Sequence, residues 1–128
     1  MGISMAFYRP VGEDLYEYIP SIALHTSRLW DFLRWYGDVR YESAHRILPM
    51  VPDQTLWREG EWEDIEEEDG RWRMRVRGEV AEDMRRWVEQ HEEILAALEA
   101  HPPPPDLADL VQAIIERMRM GGIPVVSW

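Results

Sequence analysis

The sequence predicts an α+β fold, a small and mainly antiparallel sheet packed against three or four helices. Three observations carry that prediction. Residues 61–77, EWEDIEEEDGRWRMRVR, read as a β-hairpin. Residues 79–100 carry apolar side chains at helical spacing. Both ends of the chain have short segments of β character, GISMAFYR and IPVVSW. At 128 residues the chain is long enough for one domain, 1–128, with its own core.

Residues 2–9 read as a strand ended by Pro10, and 12–18 as one or two helical turns. Pro20 and Ser21 open a helix that runs to Tyr36 and stops at Gly37. Its apolar stripe is Ile22, His25, Leu29, Phe32, Leu33 and Tyr36. Glu42 to Leu48 predicts a short helix, and VPDQTLWREG reads as loop.

In the hairpin, Asp69-Gly70 suits a type I′ turn, which needs positive φ at both central residues. A turn there sets Glu68 opposite Arg71, Glu66 opposite Arg73, Asp64 opposite Arg75 and Trp62 opposite Arg77. Ile65 then meets Met74, Glu67 meets Trp72 and Glu63 meets Val76. Each opposite-charge pair is worth roughly 0.2–1 kcal/mol. The acid run and the arginine run therefore answer one another.

The helix over 79–100 turns Val80, Met84, Trp87, Val88, His91, Ile94, Leu95 and Leu98 to one face. Pro102 to Pro105 make a stiff turn. Asp106 is the expected cap of a last helix over 107–119, and Gly121-Gly122 ends it.

The formal net charge is −11, which opposes direct binding to nucleic acid and to anionic lipid. No apolar run has the length of a membrane span. The start MGISMAFYRP lacks the pattern of a signal peptide. With no cysteine, neither disulfides nor thiolate metal ligands are available, and the expected compartment is the cytoplasm. Lysine and asparagine are also absent, a bias expected of a GC-rich genome.

Candidate chemistry is sparse. Glu42 and His45 form a Glu-x-x-His spacing, the arrangement that puts two metal ligands on one helix face in carboxylate-bridged di-iron bundles. It occurs once, where such sites use it twice. His25 and His91 fall in apolar stripes and read as core histidines, each hydrogen-bonded to a carbonyl or carboxylate. No serine sits in a G-x-S-x-G context, and no glycine-rich phosphate loop occurs, so no cofactor is expected.

Seven tryptophans remain to be placed. Trp72 and Trp87 fall on apolar faces and are expected in the core. Trp57, Trp62 and Trp128 lie in a loop, on the charged hairpin face and at the end of the sequence, where exposed aromatics serve as binding hot spots. The outer face of the 79–100 helix is acidic, with Glu82, Glu89 and Glu93 among its carboxylates. Partner binding is therefore expected at Trp57, Trp62, Trp128, Glu82, Glu89 and Glu93.

The chain also resembles the YfbM-like family of small bacterial proteins. The matching pieces are Met1-Gly2 with Phe7, then Trp30-Asp31-Phe32-Leu33, then the end MRMGGIPVVSW. The hairpin and the proline run depart from that pattern. The resemblance implies no settled activity and no catalytic residues.

The leading expectation is a non-enzymatic acidic module, inhibitor- or immunity-type, that binds a basic protein. The alternatives are a self-assembling subunit, such as a homo-oligomer or a virion or complex component, and a metal-binding enzyme built on Glu42, His45 and His91. A DNA mimic is disfavoured, because such a mimic needs uncompensated acids at phosphate-like spacing.

Overall fold

The computed structural model describes residues 2–53, 60–66 and 70–128. Among these residues it is an α+β arrangement of a curled, mixed sheet with three helices. The strands are β1 (Ser4–Gly12), β2 (Leu15–Tyr18), β3 (Leu24–His25), β4 (Val51–Pro52), β5 (Trp62–Glu66), β6 (Trp72–Val76) and β7 (Ile123–Ser127). Their order across the sheet is β4-β7-β1-β2-β6-β5, with β3 also beside β1. The β4–β7 pair is parallel and the other pairs are antiparallel. The sheet is thus larger and more mixed than the sequence predicts.

β1 is the centre. Met5 and Phe7 are fully buried on one of its faces, and Tyr8 is buried on the other. Pro10 does not end it. The strand continues to Gly12 through an irregularity between Pro10 and Gly12, the kind of site that tolerates a residue without an N–H. Residues 15–18 are not helical but form β2, paired back onto β1. Their aromatic content favours a strand, and Asp14, at φ +53°, makes the turn.

The helix expected from Pro20 is also displaced. Pro20–Ile22 is one 3-10 turn, and Leu24 and His25 pair with β1. Helix α1 (Leu29–Glu42) begins later and runs through Gly37. It buries Leu29, Phe32, Trp35, Tyr36 and Val39. A short helix over 42–48 does not form. Ala44 and His45 stand at φ +56° and +57°, outside right-handed helix geometry.

The hairpin forms in a register one residue away from the charge-matched one. Trp62 faces Val76, Glu63 faces Arg75, Asp64 faces Met74, Ile65 faces Arg73 and Glu66 faces Trp72. The expected turn at Asp69 and the pairs of Glu67 and Glu68 lie outside the described residues. The cause is apolar burial. Met74 and Val76 are buried, and this register lays Trp62 against the same core. Half-burying a tryptophan is worth on the order of 1–2 kcal/mol, comparable with the three exposed charge pairs given up at roughly 0.2–1 kcal/mol each, and Glu63 opposite Arg75 restores one of them. The arginines find other partners. Arg71 lies 3.7 Å from Glu17 of β2, and Arg77 lies 3.7 Å from Glu63.

Helix α2 (Gly78–Ala100) buries Val80, Ala81, Met84, Trp87, Ile94, Leu95 and Leu98, close to the predicted face. Val88, expected on that face, is exposed. The helix entry is locked. Gly78 has φ +60°, and the Glu61 Oε1 accepts the Glu79 N–H at 2.6 Å. A Cβ on Gly78 would stand 2.2 Å from that same oxygen.

Helix α3 (Ala108–Arg119) buries Leu110, Val111, Ile114, Ile115 and Met118. Asp106 makes no side-chain cap. Its carbonyl accepts from Arg28 Nη2 at 2.6 Å, so it ties α3 to the start of α1. Gly122 lets the chain turn into β7 beneath Phe7, where a Cβ would come within 3.1 Å of the Phe7 ring.

Candidate functional site

Helix periodicity places Glu82, Arg86, Glu89 and Glu93 along one stripe of α2, each an exposed residue. Glu92 stands beside them, its side chain 94% exposed. Among the described residues no ion pair engages Glu82, Glu89 or Glu93. The stripe lies on the opposite side of α2 from Met84, Trp87 and Ile94, which are buried.

The tryptophans are distributed otherwise than expected. Trp57 lies outside the described residues. Trp62 is half-buried against the core. Trp72, expected inside, is 47% exposed at the start of β6, and Trp87 is buried, donating from Nε1 to the Pro49 carbonyl at 3.2 Å. Trp128 is 47% exposed and Trp30 is 40% exposed. Their rings tilt against each other at 6.2 Å. Trp128 therefore belongs to an aromatic pair with α1.

The histidines are also rearranged. Glu42 and His45 share no helical face, because α1 ends at Glu42. Glu42 instead reaches His101, with Oε2 2.5 Å from Nε2. His101 Nδ1 is 2.8 Å from the Ala97 carbonyl, so that carbonyl orients the ring. Among the described residues no group of three or more His, Cys, Asp or Glu is placed to hold a metal ion. His25 is exposed on β3. His91 is mostly covered, and its Nε2 is buried without a hydrogen-bond partner among the described residues. The expectation of two hydrogen-bonded core histidines thus fails at His25 by exposure, and at His91 in the hydrogen bond expected of its buried Nε2.

A cleft of about 450 Å³ opens where β1, β3 and β7 meet. Its lining includes Ser4, His25, Thr26, Ser27, Ser127 and Trp128. A second cleft, of about 260 Å³, lies between Leu48–Pro52 and Trp87 of α2 and is mainly apolar.

Buried tyrosines have displaced titrations. Burial pushes Tyr8 up to about 12, with Asp53, Tyr18 and Asp64 adding to it. Burial likewise pushes Tyr16 up to about 12, helped by Asp14 and opposed by Arg85. Burial raises Tyr36 further, and its hydroxyl donates to the Leu48 carbonyl. At the surface, Arg28 holds Asp109 in a charge-assisted bond of 2.5 Å and keeps that carboxyl below its usual range.

No family model, curated protein or solved structure matches the chain. Among the described residues no helix is long and apolar enough to cross a membrane.

Sequence reasoning missed the Trp30–Trp128 pair and the Glu42–His101 contact. Neither has a local signal. Each joins residues far apart in the chain, through packing that periodicity does not encode.

Proposed function

We propose that this protein is a non-enzymatic binding module whose acidic helix face holds a basic protein partner. The observation that carries it is the exposed stripe of Glu82, Glu89 and Glu93 on α2, broken only by Arg86. Clustered carboxylates without neutralising partners raise the encounter rate with a cationic surface and discriminate against acidic ones. An inhibitor- or immunity-type role is the form this takes, and the cytoplasm is the compartment that suits a chain without cysteine. Trp62 and Trp128 are not needed in this interface, since one packs on the core and the other on Trp30.

Native mass spectrometry of the protein purified gently from its own host tests the reading. The expected result is a stoichiometric complex with a basic protein. Replacing Glu82, Glu89 and Glu93 together by lysine should then slow association by at least about tenfold at low salt, and much less at high salt. A complex indifferent to the triple substitution, or no complex at low salt, sinks the reading.

A further inference from the structure

We propose that the cleft at the start of β1 is a binding site for a neutral sugar ring, separate from the acidic helix face. The sheet register builds it. Ser4 of β1 lies directly opposite His25 of β3 on one side and Ser127 of β7 on the other. Directly opposed residues share a face, so an imidazole and two hydroxyls form one row across three strands. With strands about 4.8 Å apart, the row spans about 10 Å, enough for one or two rings.

The corner after β3 adds two more hydroxyls. Thr26 Oγ1 accepts the Arg28 N–H at 3.3 Å, which leaves its own O–H free to donate. Ser27 sits in the turn that launches α1, its carbonyl accepting the Trp30 N–H at 3.1 Å. At the rim stands Trp128, backed by Trp30, each about half exposed. An indole offers an apolar face for the C–H side of a sugar ring, while hydroxyls and imidazole meet its O–H groups.

The lining selects among ligand classes. Among the described residues no arginine, aspartate or glutamate lines the cleft, so no side chain there carries a permanent charge to hold an ion. An extended peptide has no ladder to join on β1, because Ser4 and Met5 are already paired on both sides. β3 is only two residues long and makes a poor template for an added strand. The cleft, of about 450 Å³, is shallow and open to solvent, so a ring would lie against it with one face covered. The hydroxyls, imidazole and indole together suit a compact, hydroxyl-rich ligand with one apolar face.

Saturation-transfer NMR on the full chain, with the methyl glycosides of glucose, galactose, mannose and N-acetylglucosamine, tests this. The expected result is transfer to the C–H protons of at least one glycoside, with a saturable change in tryptophan fluorescence. Trp128→Ala and His25→Ala change exposed residues. Each should weaken that binding by about tenfold or more, with the unfolding curve unchanged in His25→Ala and the fold kept, at a slightly lower urea midpoint, in Trp128→Ala. No transfer to any of the four overturns the proposal. So does equal binding by Trp128→Ala, or tighter binding of glucose 6-phosphate than of glucose.

Discussion

Replacing Gly78 by alanine tests how the hairpin and the long helix are joined. At φ +60° an L side chain costs about 1–2 kcal/mol. The new Cβ would stand 2.2 Å from Glu61 Oε1, so the carboxylate must swing away. That breaks its bond to the Glu79 N–H, a helix-start contact worth about 0.5–2 kcal/mol. Against this, alanine narrows the unfolded ensemble, a gain of about 0.4–1 kcal/mol. The net expectation is a loss of about 1–3 kcal/mol, read as a lower urea midpoint at unchanged slope. Gly37→Ala is the internal control. Gly37 lies within α1 with open space around its Cβ position, so alanine there should stabilise by about 0.5–1 kcal/mol. Glu61→Ala should remove the cap alone. Combined with Gly78→Ala it should cost less than the two losses added, because both disturb one contact. A neutral Gly78→Ala, or strict additivity with Glu61→Ala, would refute the reasoning.

Two further expectations concern the core. Tyr8 and Tyr16 titrate near 12 when folded, against about 10 when unfolded. Their stabilisation is fully present below pH 10 and is lost as pH rises through 12, about 2–3 kcal/mol for Tyr8 and less for Tyr16, which water screens more. Urea melts across that window should fall steeply, and Tyr8→Phe should flatten the fall; a flat profile in the wild type contradicts the burial of these rings. The hairpin register is checked by truncation. Trp62→Ala should cost more than Ile65→Ala, since Trp62 faces Val76 over the core while Ile65 faces Arg73. The reverse order would restore the charge-matched register.

The long helix was legible because its buried residues repeat from Val80 to Leu98, about five turns, which leaves little room for another period. β7 was legible because Ile123 to Val126 are apolar without a break, as a strand covered on both faces requires. Residues 12–25 were not. Pro20-Ser21 is a sound helix-start signal, but pairing of Leu24 and His25 with β1 overrides it, and that is a tertiary fact. The hairpin shows the same limit more sharply. Its cross-strand charges favour one register and its apolar residues another, and the choice depends on a core contributed by other segments. At the candidate sites, the glutamates of α2 could be read from spacing alone. The row of Ser4, His25 and Ser127 could not, because it exists only once three strands are aligned.

The pairing of β1 with β7 also governs how the chain can be made. The sheet's middle strand leaves the ribosome more than a hundred residues ahead of its principal neighbour. Until residues 123–127 emerge, Met5 and Phe7 have lost one flank of their cover. β2 can zip onto β1 early through its tight turn, but the hairpin so formed is marginal by itself. Closing so long a loop carries an entropic cost that local contacts do not offset, which slows folding relative to a helical bundle of equal size. Nascent chains halted before β7 should therefore be the forms that chaperones bind, while folding completes in one late step once β7 has emerged.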